Sequence, residues 1–247
     1  MNLAMSSFGP VAPYYDELMS VIPYDMWTDY YLLLLLRQEQ SPTTILDACC
    51  GTGAMALRLA ARDYKCSGFD LSPQMIEKAK ENAEFYGYEI DFHVGDAVDF
   101  ELNKQFDASL SFFDSLNYIT ELFEFNQAIK QIGKHILPGG SFIFDLNTEY
   151  AFEADLFTQS EHKKSAKIHY DWVGDYDAAS KLIQVTMDFE YENKTFREVH
   201  RQRAHSDAEV MEALVSAGFY KIDCYDGFTL NPPRRHSDRV HYVATKR

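Results

Sequence analysis

The chain predicts an α/β fold: a doubly wound, mostly parallel sheet with helices on both faces, N-terminal helices and a small antiparallel β insertion. Three observations lead there. Between residues 43 and 146 short β-rich runs alternate with helical stretches, an order that calls for parallel strands joined by right-handed crossovers. Phe106 to Phe113 (FDASLSFF) is apolar enough for a strand in mid-sheet. From about Lys167 to Arg203 the rhythm changes to the two-residue alternation of antiparallel strands.

The elements follow in order. Residues 1–40 read as an N-terminal helical cap. Its longest apolar run, Tyr30 to Leu36, is far short of the ~20 residues that cross a bilayer and reads as a buried helix turn between Asp29 and Arg37. Thr43 to Ala48 is a strand, followed by a helix over about Thr52 to Arg62. Lys65 to Asp70 is the second strand. Ser72 caps the next helix with Pro73 at its first position, where a missing N–H costs nothing, and Gly87 stops it. Glu89 to Val94 and Phe106 to Phe113 are the third and fourth strands. A helix over Glu121 to His135 ends before Leu137-Pro138-Gly139-Gly140, a turn signal ahead of a fifth strand, Ser141 to Leu146. Three antiparallel strands (KIHYDWVGDY, KLIQVTMDFEY, KTFREVHRQRA) then form an insertion within 164–205, with turns at 177–180 and at Glu192-Asn193. Ser206 and Glu209 form a capping-box pair. Val210, Met211, Leu214 and Val215 make that helix's apolar face before Gly218. Phe219 to Phe228 and Arg239 to Thr245 are the last strands. With no repeat and no linker, 1–247 reads as a single domain.

Composition narrows the function. The 247 residues hold 23 Lys and Arg against 38 Asp and Glu, a formal charge of −15, which repels a nucleic acid backbone. No Lys or Arg precedes Arg37, unlike the basic start of a secretory or mitochondrial leader, so a cytoplasmic protein is expected. Cys49, Cys50, Cys66 and Cys224 show no zinc spacing, which implies reduced thiols and no disulfide framework.

The sharpest motif is Ile45-Leu46-Asp47-Ala48-Cys49-Cys50-Gly51-Thr52-Gly53. A strand runs into a glycine turn and then a helix, so the backbone can approach a ligand and free N–H groups face it. Gly51-x-Gly53-x-x-Ala56 with Asp70 also fits the loose dinucleotide fingerprint, which leaves a nicotinamide-dependent oxidoreductase open. Asp47, Asp70 and Asp96 weigh against it. One acid at each of three successive strand ends suits an adenosine with a cationic amino-acid tail, whereas Asp47 would repel a pyrophosphate.

Together these pieces resemble the class I S-adenosylmethionine-dependent methyltransferases. The resemblance runs from Leu46 to Phe228 through LDACCGTG (46–53), GFDLSPQMIEKAK (68–80), GDA (95–97), FDASLSFFDSLNYI (106–119) and LPGGSFIFDLNT (137–148). It implies a Rossmann-like seven-stranded sheet with an antiparallel last strand and an insertion of the small-molecule type, acting as a substrate lid. It implies S-adenosyl-L-methionine as cofactor, S-adenosyl-L-homocysteine as product, no metal, a small-molecule acceptor, no nucleic acid or membrane partner, and a monomer or homodimer. Asp47 with the backbone at Cys49, Gly51 and Gly53 would meet the methionine end. Asp70 would hold the ribose, with Leu71 on the adenine face and Asp96 and Ala97 at its edge. The backbone at Ser111 and Phe112 would lie by the methionine amino group. The family usually has Gly where this chain has Cys49, so that side chain must turn away or narrow the pocket. Cys49 and Cys50 lack a visible basic partner and read as packing residues.

For the acceptor, the resemblance points to Asp114, Asn117 and Tyr118 after the fourth strand, with Asp114 first for orienting or deprotonating it. Substrate contacts are expected from Tyr14, Tyr15, Asn147, Tyr170, Trp172, Arg201 and Arg203, with Tyr24, Trp27, His169 and His200 nearby. His200 to Arg203 with Arg234, Arg235 and His236 reads as a basic cluster for a carboxylate or phosphate. A noncatalytic cofactor-binding or interaction domain is the reading from another class.

Overall fold

The computed structural model describes residues 11–163, 168–191 and 194–247. In chain order the elements are α1 (Tyr15–Leu18), α2 (Tyr24–Arg37), β1 (Thr44–Ala48), α3 (Ala54–Ala60), β2 (Lys65–Asp70), α4 (Pro73–Tyr86), β3 (Asp91–Val94), β4 (Phe106–Ser111), α5 (Leu122–Lys134), β5 (Ile136–Asn147), α6 (Glu149–Glu153), β6 (Gln159–Glu161), β7 (Ile168–Asp177), β8 (Leu182–Tyr191), β9 (Lys194–Arg203), α7 (Asp207–Ser216), β10 (Phe219–Asp226) and β11 (Arg239–Lys246). Seven strands form one sheet in the order β10-β11-β5-β4-β1-β2-β3. β11 runs antiparallel to both neighbours, while β1 to β5 are mutually parallel, as expected of a doubly wound fold. β6 to β9 form a separate antiparallel sheet.

Strand alternation distributes the core. On β5, Phe142, Phe144 and Leu146 pack under α5 and α7, whereas Ile143 faces the opposite layer with Leu34, Leu59 and Ala79. The leucine run of α2 is not buried throughout. Leu34 and Leu35 are buried, but Leu33 and Leu36 are exposed, because a helix turns 100° per residue and only one stripe meets the sheet.

Four other expectations need correction. Leu137 to Gly140 is not a turn ahead of β5 but part of it: Phe106 pairs with Ile136 and Ala108 with Ser141, so four residues of β5 oppose the single Asp107 of β4 as a bulge. A β-carbon at Gly140 would collide with the Asp107 carbonyl oxygen, which explains the glycine. Met211 and Val215 are exposed, and Ala213 and Ala217 fill the helix's inner face instead. The insertion sheet has a fourth strand, β6, too short and polar to read from alternation. Several elements also start or stop one or two residues inside the expected bounds, such as β3 at Asp91 and α3 at Ala54 to Ala60. The start of the cap at 1–10, Lys167 and the Glu192-Asn193 turn lie outside the described residues. No helix among the described residues is long and apolar enough to cross a membrane.

Candidate functional site

β1 lies between β2 and β4, so the chain leaves it in one direction and returns on its other side. In such sheets the crevice at the carboxyl ends of the strands is where ligands sit. A cleft of about 820 Å³ opens there.

The turn after β1 is shaped by three residues with positive φ: Cys49 at +59°, Gly51 at +54° and Gly53 at +80°. Cys49 therefore occupies backbone space that favours glycine. Its side chain lines the cleft and narrows it, with the thiol toward the Ser111 hydroxyl. A β-carbon at Gly51 would meet nothing within 4 Å, so this backbone faces open cleft. Gly53 has a different reason: a β-carbon there would lie 2.7 Å from the Phe92 ring, and Gly53 does not line the cleft.

The three acids share the cleft. Asp70 accepts from the Gly51 and Ser72 N–H groups, both at 2.9 Å, which ties the glycine turn to the start of α4. Burial raises its carboxyl above the ordinary range, against the pull of those two N–H groups. Asp47, 3% exposed, accepts from Ala56 N–H at 3.1 Å. Burial pushes it up to about 7; the Ala56 N–H opposes this and the charge of Asp70 adds to it. Asp96 accepts from Val98 N–H at 3.0 Å at the far rim, beside buried Ala97. Leu71, 61% exposed, stands at the edge of the cleft as an apolar surface. Phe112 lines the cleft, while Ser111 is buried behind it. All four cysteines are free, and burial raises every one of their thiols, so none is poised as a nucleophile.

Behind the cleft lies an inner cavity of about 260 Å³. Tyr15, Phe113 and Tyr118 line both spaces and form the threshold between them. Phe113 and Asp114 both have left-handed backbones, φ +70° and +49°, a strained corner that turns Asp114 inward. Asp114 is fully engaged: Arg239 donates to one oxygen at 2.8 Å and Gln202 to the other at 2.7 Å. Arg239 also pairs with buried Asp145, which accepts from the Asp114 N–H at 3.1 Å.

The other expected acceptor residues separate into groups. Asn117 does not reach either space; its amide clasps the Asn147 and Arg203 backbones, joining β5 to β9. Asn147 and Trp172 line the inner cavity, and Asn147 Nδ2 and Trp172 Nε1 have no partner among the described residues. Tyr14 packs on Tyr191 and Phe196 outside both spaces. Tyr170 lines a shallow outer groove with His169. The basic cluster does not assemble: strand alternation turns His200 inward and Arg201 outward, and Arg234, Arg235 and His236 lie exposed on the loop before β11. His200 is buried against Glu198, Arg201 borders the cleft mouth, Arg203 pairs with Glu209 at 3.2 Å, and His236 lies against Tyr150. Tyr24 and Trp27 line the cleft.

Sequence reasoning missed Glu198, Gln202 and Arg239. The first two had a legible signal: Glu198, His200 and Gln202 are every second residue of one strand and form a buried polar row. Arg239 had none, since its partners Asp114 and Asp145 are remote in sequence.

Residues 45–140 match a family model described as a methyltransferase domain. The chain is 30% identical over 247 residues to a Geobacillus sp. (strain WCH70) protein named as a candidate methyltransferase, covering 95% of this chain and 98% of the relative. Over 107 residues it is 28% identical to the dTDP-3-amino-3,4,6-trideoxy-alpha-D-glucopyranose N,N-dimethyltransferase of Streptomyces venezuelae, covering 43% of this chain and 44% of that protein. A solved S-adenosylmethionine-dependent methyltransferase from Clostridium acetobutylicum ATCC 824 superposes with a TM-score of 0.85 at 23% identity, covering 97% of this chain and 98% of that one.

Proposed function

The chain belongs to the class I S-adenosylmethionine-dependent methyltransferase family, and from that premise we propose that it methylates an amine, hydroxyl or carboxylate of a small molecule held in the inner cavity. The observation that carries this is the joining of two spaces. An acid-lined cleft with the open backbone of Gly51 meets, at Tyr15, Phe113 and Tyr118, a smaller cavity whose mainly apolar walls carry Asn147, Glu198, His200 and Gln202.

The cleft fits the donor chemically. In this reading Asp70 holds the ribose hydroxyls, Leu71, Asp96 and Ala97 meet the adenine, and Asp47 with the Cys49 and Gly51 backbone meets the cationic methionine end. The backbone by Ser111 and Phe112 completes that end. When bound, S-adenosylmethionine supplies a methyl group on a sulfonium sulfur, a good neutral leaving group for in-line displacement. The protein's own task is then alignment and exclusion of water, which supplies ~7–11 kcal/mol in well-oriented reactions. Residues 164–205 act as a lid over the acceptor and residues 1–40 as a cap. Support comes from Val185, Met187 and Phe189 of β8 and Tyr15 of α1, which wall the inner cavity. The small cavity and the net charge of −15 support a small molecule over nucleic acid.

Titration calorimetry with S-adenosylmethionine and S-adenosylhomocysteine, with NADH as control, tests the reading. Both sulfur nucleosides are expected to bind and Asp70→Ala to abolish binding. Binding of NADH alone would replace this reading with the dinucleotide one.

A further inference from the structure

The donor reading leaves unused a hydrogen-bonded row in the inner cavity. Glu198, His200 and Gln202 project from one face of β9, all at least nine-tenths buried. Glu198 Oε2 lies 2.7 Å from His200 Nε2, and His200 Nδ1 lies 3.0 Å from the Tyr118 hydroxyl oxygen. The Val11 N–H donates to the other Glu198 oxygen at 3.2 Å. An ionised carboxylate only accepts, so Glu198 selects the imidazole with its proton on Nε2. Nδ1 is then the acceptor for the Tyr118 O–H. The row ends at the threshold, because Tyr118 lines both the cleft and the cavity. A methyl acceptor has to present its reacting atom there.

Asp114 is a poor base in this arrangement, since Arg239 and Gln202 already donate to its two oxygens. The cavity also has a charge preference. The groups facing His200 and its surroundings are Tyr15, Tyr118, Asp114, Glu198, Asp238 and Arg239. The only cation among these six is Arg239, already shared between Asp114 and Asp145. The aromatic walls add attraction for a cation. Asn147 Nδ2, Trp172 Nε1 and Gln202 Oε1 are buried without partners among the described residues, which calls for hydroxyl or carbonyl groups on the ligand. A volume of about 260 Å³ is near the lower end for ligand pockets and suits a compact molecule.

We propose that Tyr118, His200 and Glu198 form the proton-accepting chain of this enzyme, and that the acceptor is a compact hydroxylated amine that enters as its ammonium ion. This rests on the donor reading of the cleft. The ammonium gives a proton to the Tyr118 oxygen as the Tyr118 hydroxyl proton passes to His200 Nδ1. Glu198 holds the resulting imidazolium through its Nε2–H. The freed nitrogen lone pair forms the N–C bond as the donor's C–S bond breaks, leaving a neutral thioether and an N-methylammonium product. Tyr118 and His200 are catalytic residues in this scheme and Glu198 a positioning residue. Burial holds the Tyr118 phenol above its ordinary range, which suits a group that relays a proton without keeping the charge.

The test uses the full chain and three variants, Tyr118→Phe, His200→Gln and Glu198→Gln, with thermal melts to confirm folding. Calorimetry without donor compares ethanolamine, glucosamine and serinol with the matched alcohols ethylene glycol, glucose and glycerol. Amines are expected to bind at least tenfold more tightly. S-adenosylhomocysteine formation from the same panel follows as a function of pH. His200→Gln is expected to keep S-adenosylmethionine affinity and amine KM while kcat at neutral pH falls about a hundredfold or more, the usual worth of a general base. That deficit should shrink as rising pH delivers the amine already neutral. Glu198→Gln should shift the pH profile in the same sense with a smaller loss. Wild-type kcat in both Tyr118→Phe and His200→Gln, a deficit that ignores pH, or alcohols bound as well as amines would each overturn the proposal. So would S-adenosylmethionine binding with no amine bound or methylated, although the donor reading would then stand. Failure of folded protein to bind S-adenosylmethionine would sink both.

Discussion

Replacing Asp47 by Asn measures what the cleft costs the free protein. Asp47 is 3% exposed at the end of β1, and burial moves its carboxyl from an ordinary 3.8 to about 7. Between those two values the folded protein holds a proton that the unfolded chain has released. Folded molecules thus bind more protons than unfolded ones, and stability falls as pH rises through this window. The slope is about 1.4 kcal/mol per pH unit, and the accumulated loss above pH 7 is about 4 kcal/mol. Asn has the same shape, can accept from the Ala56 N–H and carries no charge. The expected result is a stability difference, variant minus wild type, that climbs from pH 4 to 7 and then levels off. Urea unfolding of both proteins from pH 4 to 8.5 reads it directly. Contributions from titrating groups that do not interact with Asp47 appear in both curves and cancel in the difference, so what remains belongs to Asp47 and its coupling to Asp70. A difference that stays flat with pH would show that Asp47 is ionised as easily in the fold as in water. Under the proposed donor reading the same variant should also bind S-adenosylmethionine more weakly, because it removes the carboxylate proposed to meet the methionine ammonium.

Other outcomes follow from the same contacts. Gly53→Ala forces a left-handed backbone and a collision with Phe92, so urea unfolding should show a loss of about 2–4 kcal/mol; an unchanged midpoint would mean the ring moves aside freely. Arg239→Met leaves Asp114 and buried Asp145 without their shared cation, with an expected loss on the order of 3 kcal/mol at neutral pH. Measured at the acid end of the stable range, that loss should shrink. His241 is packed among Tyr30, Phe112 and Phe228, and burial, reinforced by the Arg239 charge, lowers its imidazole from 6.5 to about 3. Unfolded chains therefore take up the proton that the fold refuses, and stability is lost as pH falls below 6.5, by up to about 1.4 kcal/mol per unit. His241→Phe should remove that slope, and a difference curve without it would refute the assignment.

Much of this was legible along the chain because it is local. Asp47, Asp70 and Asp96 each end or follow a strand, so parallel pairing alone carries all three to one edge of the sheet. Ser72, Pro73 and Gly87 bound α4 through contacts within a turn of themselves. The misreadings have equally local causes. Leu137 to Gly140 carries every mark of a turn, and only the backbone of Asp107 on the adjacent strand turns those glycines into a bulge. Met211 and Val215 match the helical spacing of an apolar face, but α7 rests on the sheet through Ala213 and Leu214, one step around the helix.

The order of strands and helices, the acid at each strand end and the glycine turn were determined by the sequence itself, since period, capping and turn chemistry act over a few residues. The acceptor side was decided only by the tertiary structure. Tyr118 and His200 are 82 residues apart and meet because β9 of the second sheet packs on the turn after β4, whereas Asp114 and Arg239, 125 apart, meet because β4 and β11 both flank β5 in the first sheet. Alternation on β9 shows which residues share a face, but not which face meets the cavity. That choice comes from packing two sheets around one cavity, where each buried charge must find its partner at a distance the sequence does not encode.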